Sequence, residues 1–352
     1  MDDLREVPEL NVDLLAGFGF ACRPDCGLCC YAEPRSLPGE RTRLLQIAPE
    51  VEIVERDGDT FIAAHPDGGA CQFLSDNRCR AHAARPHPCR EFPLTAHVGT
   101  RLQATVVLSC PGVELNTLEA WPQVGSPDSV TGFSAELDAL TSRVDHSAVR
   151  RLESSARRRR KVVRALQSDD RWQEEEEVRA RLRRQVPLPT TDNFPVADPP
   201  SADDGVENLP LFFDRRAAPV ALAEGLGGWE LLELRPGGGV ARSLGVLPPP
   251  DRPPEIEAAA ARLMRGYLRY WLERDAMFGA VHLRMLDSTE GTVTDWVEEE
   301  LRAIGALVLA RAEVRAKVRR GVVDRLTRAE LLDGIRASDQ DLLDRASWGD
   351  RF

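Results

Sequence analysis

ACRPDCGLCCYAEPR, residues 21–35 of the chain, places four cysteines within nine residues, namely Cys22, Cys26, Cys29 and Cys30. Cys26 and Cys29 form a C-x2-C pair, a spacing that lets one tight turn direct two thiolates at one metal centre. Gly27 supplies the backbone freedom that such a turn needs. Cys30 follows Cys29 directly, and neighbouring side chains of an extended chain point to opposite sides. These two thiolates can therefore bind one centre only where the backbone bends, or else they serve different centres.

The other cysteines also lie in the first third of the chain. They follow the opening run at Cys71, Cys79, Cys89 and Cys110, and the rest of the 352-residue sequence contains none. The first residues, MDDLREVPELN, are acidic and lack the basic and apolar regions of an export signal, so we expect a cytoplasmic protein. Because disulfides are rare in that reducing compartment, the asymmetry indicates a separate N-terminal metal-binding module.

The composition limits the class of protein further. Hydrophobic residues make up 42% and charged residues 29% of the chain, which is the balance of an ordinary globular protein. No apolar run is long enough to span a bilayer, so no membrane association is expected. The formal net charge of −11 argues against nucleic-acid binding, because phosphate contacts need a surplus of Lys and Arg.

The number of cysteines favours a metal centre over free thiols. Four thiolates can hold one zinc ion or one 4Fe–4S cluster, so eight can serve two centres, or one centre with spare ligands. We predict an iron–sulfur cluster of the 4Fe–4S type as the cofactor, with zinc as the alternative. The candidate metal ligands are Cys22, Cys26, Cys29, Cys30, Cys71, Cys79, Cys89 and Cys110.

Three residues near these cysteines have possible supporting roles. His82 follows Cys79 in a C-x2-H pattern and is a further candidate ligand, although a polar loop residue or a hydrogen bond to sulfur is the favoured interpretation. Arg85 and Arg90 flank Cys89 and could offset the negative charge that several thiolates concentrate. The sequence has no motif of a serine hydrolase, a zinc protease or a P-loop nucleotide-binding protein, so it assigns no catalytic residues.

Residues 1–121 are predicted to form the cysteine-cluster metal-binding domain. VEIVERDGDTFIAA, residues 51–64, alternates apolar and polar residues on both sides of Asp57-Gly58, a dipeptide suited to a hairpin turn. LQATVVLS, residues 102–109, predicts a strand that the proline of Cys110-Pro111 stops. The candidate ligands would thus lie on loops at the ends of strands.

The rest of the chain is predicted to be mainly helical. A long charged helical segment is expected over residues 122–186, and a proline-rich linker or loop over residues 187–208. Residues 209–352 are expected to form a mainly helical C-terminal region with a small β-hairpin at WELLELRPGGGVARSLGVL, residues 229–247. The fold class is therefore α+β, with a small irregular cysteine-rich domain and short hairpins ahead of a mainly helical region.

Two local patterns belong to the predicted helices. Thr327 and Glu330 have the spacing of a capping box for the last helix. The run RRRRK, residues 157–161, favours a solvent-exposed helix face, with binding of a protein partner through the helical region, or of nucleic acid, as the alternative. The sequence does not indicate an oligomeric state.

Several separated blocks of the N-terminal third resemble a known family. They are C-x3-C-G-x-C-C, then C-x-F-L from Cys71 to Leu74, then Cys79, and R-P-x-x-C-R-x-F-P from Arg85 to Pro93. In this order they resemble the YkgJ-type cysteine-cluster family, also called the CxxCxxCC or zinc- or iron-chelating domain family, over about residues 17–112. The resemblance implies an iron–sulfur or related metal-chelating domain. A relative in this group, flagellin lysine N-methylase, similarly has a cysteine domain ahead of a larger, mostly helical region.

The leading prediction is a metal-binding protein whose activity beyond metal binding the sequence does not determine. One alternative is a zinc-stapled protein-interaction module, in which the metal supplies folding energy. The other, implied by the resemblance, is an S-adenosylmethionine-dependent protein lysine N-methylase-like enzyme. Cys22, Cys26 and Cys29 also have the C-x3-C-x2-C spacing of radical S-adenosylmethionine enzymes, but the repeating strand and helix pattern of their barrel is missing.

Overall fold

The computed structural model of the chain combines short strands in its N-terminal part with helices in its C-terminal part. This confirms the predicted α+β fold class. The structure describes residues 10–23, 26–31, 34–37, 39–56, 59–65, 70–76, 78–98, 102–121, 132–142, 146–189, 211–212, 220–225, 228–234, 240–247, 254–321 and 323–346.

Short strands and two helices make up the cysteine-bearing part. They are β1 (Leu10–Asn11), β2 (Arg35–Ser36), α1 (Glu40–Ile47), β3 (Ile53–Arg56), β4 (Asp59–Ile62), β5 (Leu74–Ser75), β6 (Arg78–Cys79), α2 (His87–Glu91), β7 (Leu94–Val98) and β8 (Leu102–Val106). The strands form small sheets of order β1-β8-β7, β2-β4-β3 and β5-β6. Single 3-10 turns cover Asp13–Leu15, Leu28–Tyr31, His82–Ala84 and Asn116–Ala120.

The two predicted N-terminal strand features are confirmed. β3 and β4 pair antiparallel, with Ile53 opposite Ile62, as the alternating pattern predicted. The turn residues Asp57 and Gly58 lie outside the described residues. β8 is completely buried along its length and is followed by the turn that carries Cys110, so this cysteine does lie beyond the end of a strand.

Helices dominate the rest. The elements are α3 (Ser134–Ser142), α4 (His146–Leu166), α5 (Glu175–Arg184), β9 (Leu211–Phe212), β10 (Val220–Gly225), β11 (Gly228–Leu234), β12 (Val240–Leu247), β13 (Glu255–Ile256), α6 (Ala258–Leu272), α7 (Asp275–Asp287), α8 (Val293–Arg320), β14 (Arg325–Leu326) and α9 (Arg328–Ala346). β11 and β12 pair antiparallel, as a C-terminal hairpin requires, and they lie in a four-stranded sheet of order β12-β11-β10-β9. The described helices include none that is long and apolar enough to cross a membrane.

The boundaries of the predicted regions stay predictions. In the described part of the charged segment there are three helices, α3, α4 and α5. Most of the predicted linker, residues 190–208, lies outside the described residues, as do the turn residues 235–239 of the C-terminal hairpin. The predicted capping box of α9 is present, because the Thr327 amide donates to Glu330 Oε2 at 2.9 Å and the Glu330 amide donates to Thr327 Oγ1 at 3.4 Å.

One hydrophobic core joins β8 to the C-terminal helices. Val106 and Leu108 are fully buried in the same cluster as Tyr267 of α6, Phe278 of α7 and Ile335 of α9. The hydrophobic effect of burying these side chains therefore stabilises the strand and the helices together. A smaller cluster forms around the cysteines and includes Cys30, Leu44, Ile62, Cys71 and Phe73.

A buried polar network fixes the end of β8 against α6 and α9. Asp339 is fully buried and accepts hydrogen bonds from the Leu108 amide at 2.7 Å and the Tyr267 hydroxyl at 2.9 Å. Its Oδ1 lies 3.6 Å from the guanidinium of the fully buried Arg274. Burial raises the pKa of Asp339, and Arg274 opposes that shift. Because a buried charge needs such partners, the network specifies one position for the segment after β8.

Candidate metal centre

All the cysteine side chains face one cavity in the N-terminal part of the molecule. Its volume is about 70 Å³, and its wall includes the apolar side chains of Phe20, Ile62, Phe73 and Phe92. The cysteines that line it are Cys22, Cys26, Cys29, Cys30, Cys71, Cys79, Cys89 and Cys110. The fold thus brings together cysteines that are up to 88 positions apart in the sequence, from Cys22 to Cys110.

The backbone bends where the two adjacent cysteines lie. Gly27 has a φ of 59°, and the Cys30 amide donates to its carbonyl oxygen at 3.0 Å, within the 3-10 turn Leu28–Tyr31. Glycine adopts a positive φ of this size more readily than any residue with a Cβ atom. The Cys29 and Cys30 thiols consequently form a hydrogen bond, which lowers the pKa of Cys29 and raises that of Cys30. Of the two arrangements that the sequence left open, the structure has the bent backbone.

The β5–β6 hairpin brings two more thiols to the same place. The Cys71 amide donates to the Cys30 carbonyl oxygen at 2.6 Å, just before the hairpin. Cys79, at the end of β6, has its thiol in hydrogen-bond contact with that of Cys30. This bond lowers the pKa of Cys79 to about 7, whereas burial raises the pKa of Cys71 to about 12. Cys30 therefore lies between Cys29 and Cys79.

Cys89 and Cys110 complete the buried side of the cavity. Cys89 lies on α2, and burial raises its pKa well above the ordinary value. Cys110 lies in the turn after β8, and burial raises its pKa to about 12. Cys22 is the exposed member of the set. Thiols with raised pKa values keep their protons in the metal-free state, so a metal must displace those protons when it binds.

Cys29 occupies the middle of the set. Its charge raises the pKa values of thiols on every side of the cavity, which places it within electrostatic reach of each of them. Those thiols are Cys22, Cys30, Cys71, Cys89 and Cys110.

Of the two arginines that flank Cys89, only Arg85 lines the cavity. Its positive charge lowers the pKa of Cys29 and of Cys79, among others. Its buried Nε has no hydrogen-bond partner in the part of the chain that the structure describes. Arg90 instead lies 3.7 Å from Glu40. Of these two arginines, Arg85 is therefore the one that lies where it can offset the negative charge of the thiolates.

The histidines differ in their distance from the thiols. His82 lines the cavity but is mostly exposed, and burial of part of its ring lowers its pKa. The His87 ring contacts Ser142 Oγ at 3.1 Å, and His65 Nε2 lies 3.4 Å from the Leu74 carbonyl oxygen. His97 is buried on β7. Among these four, His82 alone has a position from which it could add a nitrogen ligand.

The donor set fits a soft metal or a metal cluster, because thiolate sulfur is the ligand that zinc and iron–sulfur clusters take. Within the described residues, no three His, Cys, Asp or Glu side chains are arranged to hold a single metal ion. The thiols touch pairwise, as Cys29 with Cys30 and Cys30 with Cys79.

One residue of the site was not predicted from the sequence. Arg336 of α9 donates from Nη1 to the Cys110 carbonyl oxygen at 2.8 Å. It lies 226 positions away along the chain, among many other arginines. No local sequence signal separates Arg336 from those other arginines.

The comparisons with known proteins concern the cysteine-bearing segment. No curated protein and no solved structure is similar enough to the chain to be matched. The relation to flagellin lysine N-methylase accordingly stays a prediction. Residues 21–111 match the model of the CxxCxxCC family, described as "Putative zinc- or iron-chelating domain". This segment, which contains all eight cysteines, is thus similar to that metal-chelating family.

Proposed function

We propose that the chain is a cytoplasmic metal-binding protein that holds an iron–sulfur cluster, of the 4Fe–4S type, through the cysteines of the cavity. The observation that carries the proposal is the convergence of all eight cysteines on one cavity. A chain that only needed buried apolar side chains would have no reason to gather thiols in one place, since free cysteines serve singly as small core residues. The match to a zinc- or iron-chelating family supports the metal-binding part.

The shape of the cavity favours a cluster over one zinc ion. Structural zinc is held by four ligands that close around the ion and leave no open space. The cavity volume is about 70 Å³, whereas by the same kind of measure one water needs roughly 10–15 Å³. A group of several atoms therefore suits the space better than a single ion does. Eight thiols also exceed the four that one zinc takes.

The residues around the cavity would do separate tasks. The bent Cys29–Cys30 turn and Cys79 supply neighbouring sulfur ligands, and the remaining cysteines close the other sides. Arg85 offsets negative charge, which lowers the cost of gathering several thiolates. Phe20, Phe73 and Phe92 in the wall limit the access of water. A bound iron–sulfur cluster would supply electron transfer or a Lewis-acidic iron.

Anaerobic purification or reconstitution followed by iron, sulfide and zinc analysis tests the proposal. We expect iron and acid-labile sulfide in equal amounts, with a broad visible absorption that bleaches in air. A matched variant with the contacting cysteines Cys29, Cys30 and Cys79 changed to serine should contain neither. A protein that contains zinc and no sulfide would overturn the cluster and favour the zinc-stapled module instead.

A further inference from the structure

The last helix contacts the turn that carries Cys110. Arg336 Nη1 donates to the Cys110 carbonyl oxygen at 2.8 Å, and its Nη2 donates to the Val113 carbonyl oxygen at 3.0 Å. The planar guanidinium group thereby bridges the two ends of the short turn. The C-terminal part of the chain thus holds a segment of the cysteine cavity directly.

A second residue of α9 holds the same segment. Asp339 accepts the hydrogen bond from the Leu108 amide, and residues three apart on a helix lie on the same face. Beyond the turn, the Ala21 amide donates to the Gly112 carbonyl oxygen at 3.0 Å. A Cβ atom at Gly112 would lie 2.5 Å from the Ala21 carbonyl oxygen. The turn held by α9 therefore packs tightly against the start of the first cysteine run.

Arg336 also carries a positive charge close to two of the cysteine thiols. It is half-buried, and its guanidinium interacts electrostatically with the thiols of Cys110 and Cys26. Arginine stays protonated in proteins. A positive charge close to sulfur ligands favours whichever state of a centre is more negative, which for an iron–sulfur cluster is the reduced state.

We propose that Arg336 is a positioning residue of the metal centre. Its side chain fixes the Cys110 turn at the cavity and places a positive charge beside Cys110 and Cys26. This rests on the proposed function, since it requires a centre in the cavity. It makes the helical C-terminal part a component of the metal site.

The test compares Arg336→Gln with Arg328→Gln in the reconstituted full-length protein. Arg328 is a matched control because it also links α9 to the N-terminal part, and its side-chain hydrogen bonds within the described residues go to Glu119 and Asn116. The readouts are the rate of metal loss to a chelator and the midpoint reduction potential. For Arg336→Gln we expect about tenfold faster loss and a potential lower by about 59 mV, which is a tenfold change in a one-electron equilibrium. Arg328→Gln should change neither.

Arg336→Lys keeps the charge and loses the two-pronged hydrogen bond. We expect it to restore most of the potential but not the slow metal loss, and it serves as the test where Arg336→Gln fails to fold. If Arg336→Gln and Arg328→Gln show the same rate of metal loss and the same potential, the role of Arg336 is overturned but the proposed function is not. A wild-type protein that retains no metal would overturn the proposed function and this inference together. If the metal is zinc, the chelator rates still decide the positioning role.

A separate observation concerns the exposed face of α4. Four exposed, positively charged side chains lie on this face of the helix, namely Arg157, Arg160, Lys161 and Arg164. The opposite face is anchored by Arg159, which is buried and pairs with Glu175 at 2.9 Å. The exposed cations are therefore held outward on a fixed helix.

This face lacks nearby compensating charge. In the described part of the chain, Arg160, Lys161 and Arg164 form no ion pair, and no Asp or Glu lies three or four positions from any of these three in the sequence. Like charges on adjacent helical turns repel and destabilise a helix.

We infer that this face docks an acidic patch of a protein partner. The stripe runs from Arg157 to Arg164, a rise of about 10 Å at 1.5 Å per residue. A nucleic acid continues beyond that length and would meet a surface of net negative charge, whereas a compact acidic patch would contact the stripe alone.

Fluorescence anisotropy with a labelled oligoglutamate peptide and with a short duplex DNA tests this face. The triple variant Arg160→Glu, Lys161→Glu, Arg164→Glu should weaken peptide binding by at least about tenfold. The control reverses three exposed arginines elsewhere, Arg181, Arg184 and Arg265, and should change peptide binding little. Equal loss in both variants, absence of peptide binding, or tighter binding of the DNA than of the peptide would each overturn the inference.

Discussion

Cys30 is the side chain on which the thiol contacts of the cavity converge. Its thiol is buried and touches those of Cys29 and Cys79. Serine at this position replaces a soft sulfur by a hard oxygen and leaves both neighbours without their contact. We expect Cys30→Ser to weaken metal binding by more than the roughly 10–100-fold that outer-shell changes cause. Metal content and the rate of loss to a chelator measure this.

Cys22→Ser provides the comparison for that experiment. The Cys22 side chain is exposed and forms the open edge of the cavity, so its loss should reduce metal retention less than Cys30→Ser does. Retention that falls equally in both variants would show that the exposed thiol is as essential as the buried ones. Retention unchanged in Cys30→Ser would exclude it as a ligand.

His282 predicts how stability depends on pH. It is fully buried between Trp172 and Phe278, and burial lowers its pKa to about 3. Below the ordinary pKa of 6.5, the unfolded chain therefore binds a proton that the folded chain does not. As the pH is lowered from 6.5 to 3, His282 should therefore reduce the free energy of unfolding by up to about 1.4 kcal/mol per pH unit.

His282→Leu should make that decline shallower in urea unfolding at pH 7 and pH 5. Neither ring nitrogen has a hydrogen-bond partner in the described part of the chain, so an apolar side chain leaves no new polar group unpaired. His97→Leu should act similarly, since burial lowers the pKa of His97 to about 3. An unchanged slope in both variants would assign the acid sensitivity to other groups.

The identity of the candidate ligands was readable from the sequence, but their grouping was not. Spacing alone left Cys30 with two arrangements, because it does not encode the positive φ of Gly27 that bends the chain. The flanking arginines were equivalent in the sequence. Only the fold distinguishes them, because Arg90 pairs with Glu40 whereas Arg85 lines the cavity.

Among the elements, α6 depends on one glycine. At Gly266 the helix passes so close to the 3-10 turn Asn116–Ala120 that a Cβ would collide with the Leu118 carbonyl oxygen. Backbone atoms cannot move aside as a flexible side chain can. We expect Gly266→Ala to destabilise the protein by about 2 kcal/mol or more, although alanine is the better helix former. Urea or thermal unfolding measures the change, and a gain in stability would contradict the close approach.

The elements that the sequence predicted are those with a local pattern. The β3–β4 hairpin follows from alternation, and the start of α9 follows from the Thr327–Glu330 box. The contact of α9 with the Cys110 turn has no such pattern, because Arg336 and Asp339 meet residues more than 220 positions away. Pairings of that kind are set by how the whole core packs rather than by any window of sequence.

The molecule as a whole couples its cysteines to its helices. β8 is buried in the core that α6, α7 and α9 share, and the Cys110 turn is held by Arg336 and Asp339. A ligand that binds only the folded state stabilises everything that must fold with its site. A bound metal should therefore stabilise the helical part as well as the cysteine part.

Thermal unfolding of the metal-loaded and metal-free proteins tests this coupling. We expect the loss of helical circular dichroism and the loss of the metal chromophore to coincide in the loaded protein, because Cys110 belongs to the core that the helices share. Removal of the metal should lower the midpoint temperature at which the helical signal is lost. When the free metal concentration is ten times its dissociation constant, binding stabilises the folded state by about 1.4 kcal/mol. Arg336→Gln should reduce the difference between the loaded and metal-free midpoints, whereas Arg328→Gln should not. A chromophore that disappears in an earlier step, with the helical midpoint identical with and without metal, would show instead that the cysteine part unfolds on its own.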